Sequence, residues 1–198
     1  PCAPQHVFGG SIYSIAVDPY DKNTVYVGGG PWLWKSIDGG DTWKRCAGIT
    51  DRVNSIRISP DDTQYVTVTT GAARNPSDGS GFFMSLDGGE SFSCTLHGVC
   101  FDHELQPGNP NRIYLIRRET AGPWAYFYIS DDGGISWQQR ELPVYSVICG
   151  RLAVSEAPGG EEYVYALTTS DSWGYDSGPQ GGKGAPSVLL SKDAGNTW

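Results

Sequence analysis

The residues best suited to chemistry sit together in the sequence: Asp102-His103-Glu104, with Arg151 further along the chain. A pair of carboxylates can cleave a glycosidic bond, one as general acid and the other as nucleophile or base. On an extended strand alternate side chains share a face, so Asp102 and Glu104 point one way and His103 the other. Two carboxylates on one strand face are too constrained to flank a sugar ring by themselves. A catalytic pair would need its second member from another segment, and a solvated or ion-paired strand end is the expected role of Asp102 and Glu104.

Two loops carry residues suited to recognition. The stretch from Ser170 to Pro186 sets Trp173 and Tyr175 among glycines, beside Asp171 and Asp176, a mixture fit to stack on a sugar or grip a peptide. A second aromatic group is Trp124, after Ala121-Gly122-Pro123, with Tyr126 and Tyr128; its strand aromatics are expected to pack in a core. Asp171 and Asp176 match no calcium-loop spacing, and there is no Cys/His cluster with zinc spacing, so no metal and no cofactor are expected.

These residues must be held by the elements around them, and the chain repeats those elements. Ser36 to Trp43 reads SIDGGDTW, and it returns as SLDGGESF (Ser85 to Phe92), SDDGGISW (Ser130 to Trp137) and SKDAGNTW (Ser191 to Trp198). Self-similarity at this period signals one supersecondary unit used repeatedly. Asp-Gly-Gly between apolar runs is hairpin chemistry, with glycines for positive φ and the aspartate accepting bonds from turn amides. Asp38, Asp87, Asp132 and Asp193 are therefore turn-makers, and Trp43, Phe92, Trp137 and Trp198 are anchors beneath the turn. A second repeat runs in the same register: a strand, then Asp18-Pro19, Ser59-Pro60 or Gln106-Pro107, then a strand rich in Val, Ile and Tyr.

This pattern resembles the Asp-box (BNR) repeat of β-propellers, a superfamily that includes sialidases, family-74 xyloglucanases, sortilin-type receptors and photosystem II assembly factors. The resemblance implies an all-β fold, a β-propeller built of four-stranded antiparallel blades with Asp-box hairpins. Four blades are expected, at about 11–46, 53–96, 99–142 and 147–198. It also implies that the box lies on the outer side, away from a central site. A ring of this type usually has six or more blades, so residues 1–198 are expected to be part of a larger ring. Further blades or another chain would then complete the last blade. The Phe/Tyr-Arg-Ile-Pro motif of sialidases is missing, Arg112-Ile113-Tyr114 does not replace it, and the paired aspartates of the xyloglucanases have no match.

The bulk numbers agree with short strands and turns: 27 Gly and 13 Pro, with seven Trp and 11 Tyr, in 198 residues. A net charge of −8 argues against nucleic acid or an anionic membrane as the main partner. No apolar run is long enough for a spanning helix, so no membrane insertion is expected. The chain has five cysteines, and the family it resembles is often exported, which makes Cys94–Cys100 one candidate disulfide. Cys2–Cys46, Cys100–Cys149 and buried free thiols are the alternatives, and spacing does not choose among them. The reading that follows is a secreted or cell-surface scaffold that binds a protein or glycan partner. The rival is an extracellular glycoside hydrolase whose carboxylates come partly from elsewhere.

Overall fold

The computed structural model describes residues 10–72, 77–118, 125–144, 147–156, 162–170 and 187–198. Every regular element among them is a β-strand. The chain forms two compact units, residues 1–100 and 101–198. Composition does not mark that division, because the same repeat runs on both sides of it.

In the first unit, β1 (Ile12–Val17), β2 (Val25–Gly29), β3 (Leu33–Ser36) and β4 (Lys44–Arg45) form one antiparallel meander. A second follows in β5 (Val53–Ile58), β6 (Val66–Thr70), β7 (Gly81–Ser85) and β8 (Ser93–His97). Register aligns apolar side chains in rows across each sheet: Ile15 opposite Val27 and Val27 opposite Trp34, then Ile56 opposite Val68 and Val68 opposite Phe83. Tyr26, Leu33 and Cys46 of the first sheet meet Val53, Ile56, Val66, Val68 and Phe83 of the second in one buried cluster. Burying each large side chain contributes about 1.5–3 kcal/mol. Gly28 is required where the sheets approach, since a Cβ there would lie 2.3 Å from Val53 Cγ1.

Next, β9 (Cys100–Gln106), β10 (Asn109–Arg118), β11 (Ala125–Ser130) and β12 (Gln138–Glu141) form the third meander, all of it but Cys100 in the second unit. Then β13 (Val147–Glu156), β14 (Glu162–Ser170) and β15 (Ser187–Ser191) form a three-stranded sheet. The reversal at Pro107 is tight. Gly108 takes φ +73° right after Pro107, so the reversal is complete and β10 begins at Asn109. The strand after the first box is short, Lys44–Arg45, because Thr42 belongs to the hairpin turn.

The residue before each early proline closes its turn with its side chain. Asp18 Oδ1 accepts from the Tyr20 and Asp21 amides at 2.9 and 3.2 Å. Ser59 Oγ accepts from the Asp61 and Asp62 amides at 3.3 and 3.4 Å.

All four box turns have one geometry. The serine hydroxyl donates to the aspartate Oδ1 two residues on, at 2.7, 2.6, 2.8 and 2.7 Å for Ser36, Ser85, Ser130 and Ser191. The same hydroxyl oxygen accepts the amides of Gly40, Gly89, Gly134 and Gly195 at 2.7–2.9 Å. The aspartate Oδ1 accepts the amides of Thr42, Ser91, Ser136 and Thr197, and Oδ2 accepts their hydroxyls. Two successive residues of each turn have positive φ, and the fourth copy puts Ala194 in the first of these places at +59°.

The Cys94–Cys100 disulfide does not form; both are free thiols, as are Cys46 and Cys149. Cys94 leans on the first unit's core, with its sulfur 3.6 Å from His97 Nδ1, whereas Cys100 is fully buried after the chain has turned at Gly98 (φ +115°). The two sulfurs thus serve different packing surfaces. Burial pushes the Cys46 thiol up to about 12. Cys2 lies outside the described residues.

Two predictions arise from the box. A left-handed conformation costs an L-residue roughly 1 kcal/mol, so Ala194→Gly should stabilise the protein by about 1 kcal/mol and raise Tm by about 3 °C. An unchanged or lower Tm would refute that strain. The hydroxyl of Thr42 holds Asp38 down at about 2, and Ser136 and Thr197 do the same for Asp132 and Asp193, each at about 2, against an ordinary 3.8. A depressed folded-state pKa gives stability that is present above the ordinary value and disappears as pH falls through the lower one. Denaturant midpoints should therefore fall between about pH 4 and pH 2, and Asp38→Asn should flatten that slope.

Candidate functional site

Asp102 lies on β9 and Arg151 on β13, adjacent elements of the second unit. Strand alternation places Asp102 and Glu104 on the same side of β9, but their surroundings differ. Asp102 is 2% exposed and His103 is fully buried, whereas Glu104 is half-buried. Asp102 Oδ1 accepts the His103 amide at 3.0 Å, and Oδ2 accepts the Leu152 amide of β13 at 3.0 Å. Each carboxylate oxygen therefore serves a backbone N–H that burial would otherwise leave costly. Arg151 Nη1 donates to the carbonyls of Phe101 and Gly150, at 3.2 Å each.

The first unit shows what this arrangement is for. Ser14 stands five residues before Pro19, as Asp102 stands five before Pro107. Its Oγ accepts the amide of Ile56 at 3.1 Å. Ile56 and Leu152 occupy the same register: Ile56 pairs with Val68 and Leu152 with Ala166, each two residues beyond the partner of a box serine. A polar side chain at this position thus ties one sheet's first strand to the first strand of the next, in both units. Asp102 is the longer, charged version of Ser14. This role was not readable from the triplet alone, although its equal distance from the proline was a usable signal.

The box aspartates are likewise occupied in their own turns. Asp38, Asp87, Asp132 and Asp193 are exposed, yet each accepts from a serine hydroxyl, a backbone amide and a Thr or Ser hydroxyl, as described above. Of the anchors, Trp43 donates Nε1 to Gly40 O at 2.9 Å, and Trp198 meets Phe127 edge-on with centroids 5.0 Å apart. Phe92 packs against the first unit's core, and Trp137 is half-buried.

Of the aromatic candidates, Trp124, Trp173 and Tyr175 lie outside the described residues, as do Asp171 and Asp176. Tyr128 is a buried core residue, accepting from Arg117 Nη1 at 2.8 Å and donating to Gln139 Oε1 at 2.9 Å. Tyr126 is half-buried on β11. Among the described residues, no group of three or more His, Cys, Asp or Glu is placed to hold a metal ion.

The structural roles of four residues, Tyr26, Tyr114, Arg112 and Asn54, escaped the sequence reading. Tyr26 donates its hydroxyl to Gly88 O, in the next box, at 2.6 Å. Tyr114 donates to Glu162 Oε2 at 2.7 Å, and Arg112 bridges the same carboxylate and Asp131. Burial pushes both tyrosine hydroxyls up. Asn54, buried between Val53 and Ser55, donates Nδ2 to Gly71 O and Cys100 O at 2.7 and 2.8 Å.

Comparison with known proteins adds the following. The BNR/Asp-box repeat family matches residues 128–139, the third box and its flanks. No curated protein matches the chain. Among solved structures, an ancestral GH74 enzyme is similar over 80% of this chain and 22% of its own, at 20% identity and a TM-score of 0.63. An auxiliary nutrient binding protein from Bacteroides thetaiotaomicron is similar over 96% of this chain and 44% of its own, at 16% identity and a TM-score of 0.58. YCF48 from Cyanidioschyzon merolae is similar over 79% of this chain and 52% of its own, at 19% identity and a TM-score of 0.51. The chain thus spans from about a fifth to about half the length of these structures. At such identities the likeness is one of fold. With four boxes of one geometry and sheets that each run as an antiparallel meander, the chain is built of BNR/Asp-box blades of the β-propeller type.

Proposed function

We propose that these blades form a secreted or cell-surface scaffold that binds a glycan or protein partner and does no catalysis with the residues described. The observation that carries this reading is the state of Asp102. A general acid or nucleophile must reach its substrate, and this carboxylate is buried with both oxygens engaged by backbone amides. Glu104 alone does not make the pair that glycoside cleavage requires. Likeness in fold to a nutrient binding protein supports binding, and the chemistry of the long loop supports a carbohydrate: Trp173 and Tyr175 among glycines offer flat apolar faces beside acceptors for sugar hydroxyls. Trp124 is the further candidate contact. The acidity of the chain suits a neutral or cationic partner over a polyanion.

A second reading, a glycoside hydrolase, is favoured by the likeness in fold to a GH74 enzyme. It would require a carboxylate pair outside those discussed here. The two readings separate in one experiment, in which the protein is run through gels containing soluble xyloglucan or arabinan and assayed in parallel for release of reducing ends. The scaffold reading expects retardation without release, and weakening of binding by about tenfold, or about 1.4 kcal/mol, in Trp173→Ala. Release of reducing ends that Asp102→Asn abolishes would overturn it. Asp102→Ala should instead act on folding, costing about 1–3 kcal/mol by leaving buried amides unpaired.

A further inference from the structure

Arg52 stands immediately before β5, and the fold holds its guanidinium in place from several sides. The Arg52 amide donates to Asp51 Oδ1 at 2.6 Å, and its carbonyl accepts the Gly71 amide at 2.9 Å. In the side chain, Nε donates to Asn54 Oδ1 at 3.0 Å, and the guanidinium carbon lies 4.9 Å from the centroid of the Tyr13 ring. A half-buried arginine with Nε bonded and its charge set over an aromatic ring has lost much of the rotamer freedom that a solvated one keeps.

The two residues that hold this side chain are themselves fixed. Tyr13 and Asn54 occupy the same place in neighbouring blades, each directly before a first-strand serine, Ser14 and Ser55. The register skips both of them: Ile12 and Ser14 pair with the successive residues Gly29 and Gly28, and Val53 and Ser55 with Thr70 and Thr69. Each is thus the extra residue of a β-bulge, a device that re-aims a side chain out of the strand's alternation. Asn54 is also 5% exposed, and its Nδ2 donates to Gly71 O and Cys100 O. With both amide hydrogens committed, Oδ1 is the atom left to meet Arg52.

What remains is the outer edge of the fork. Nη1 and Nη2 of Arg52 have no acceptor among the described residues, where Nε is the bonded nitrogen. The adjacent Asp51 does not neutralise them. Its Oδ1 is taken by the Arg52 amide, and its Oδ2 by the hydroxyls of Ser77 and Ser80 at 2.7 and 2.5 Å. An oriented guanidinium with two open N–H groups matches a planar anion, because a carboxylate presents two oxygens at the same spacing.

We infer that Arg52 binds the carboxylate of an acidic sugar, a hexuronate residue of a glycan, whose two oxygens accept from Nη1 and Nη2. Tyr13, beside the fork, supplies a flat apolar surface of the kind a pyranose ring packs against. The inference rests on the glycan-binding reading for the sugar and on the fork for the charge. A single fork answers a single carboxylate, so the net charge of −8, which disfavours a polyanion, is compatible with a ligand carrying one charge.

The test is calorimetric titration of the 198-residue chain with aldotriouronic acid, a trisaccharide bearing a single glucuronate, and with its methyl ester, which keeps the sugars and removes the charge. The acid should bind about tenfold more tightly than the ester, the contribution of one charge-assisted pair. In Arg52→Gln that preference should vanish while the affinity for the ester stays unchanged, with Tm showing that the variant is folded. Equal affinity of acid and ester for the unaltered chain would overturn the inference without recourse to any variant. So would a preference that survives in Arg52→Gln, or a tripeptide whose free C-terminal carboxylate occupies Arg52 in the sugar's place. If xyloglucan retards the protein while the acid fails to bind, this site alone is refuted; if neither binds, the glycan reading falls with it.

Discussion

The fold rests on a small polar clasp. A serine hydroxyl at the end of each third strand donates to an aspartate two residues later and accepts a glycine amide four residues later. The aspartate in turn holds the amide and hydroxyl of a Thr or Ser six residues after that serine. This closes a turn with two successive positive-φ residues, a conformation the backbone would not otherwise favour. The clasp also keeps its charged side chain at the surface, so the hydrogen bonds that favour the carboxylate outweigh the desolvation that opposes it.

The clasp connects local geometry to packing. The turn it fixes ends in a glycine, and an aromatic ring of the preceding blade lies against that glycine in both units, Tyr26 beside Gly89 and Phe127, stacked on Tyr114, beside Gly195. A side chain on either glycine would displace the ring. Polar side chains at the blade edges are also taken up: Asp102 and Ser14 by the next first strand, Asn54 by two carbonyls, Arg112 by two carboxylates. Residues that look chemically active in the sequence are therefore consumed in assembly.

The blades and the part played by the box aspartates were legible because both are local. Ser-x-Asp-Gly-Gly contains donor, acceptor and positive-φ glycines within eight residues, and alternation marks the strands around it. What was not legible depends on partners far along the chain. Tyr26 looks like any strand aromatic, and its acceptor is 62 residues away. Asp102 was expected at a solvated or ion-paired strand end and is instead buried, because its true partner, the Leu152 amide, belongs to every residue type and leaves no mark in sequence. Cys94 and Cys100 looked bridgeable because spacing does not report the face of a sheet, and a turn at Gly98 sends them to different surfaces.

The central claim is that the box is a structural clasp shared by all the blades, and amide hydrogen exchange tests it most directly. The amides of Gly40, Gly89, Gly134 and Gly195 belong to surface hairpins but are bound to serine hydroxyls. Under native conditions they should exchange as slowly as the central strands, and Ser85→Ala should release Gly89 while leaving Gly40, Gly134 and Gly195 protected. Exchange of these four amides at the rate of open loops in the unaltered protein would contradict the account.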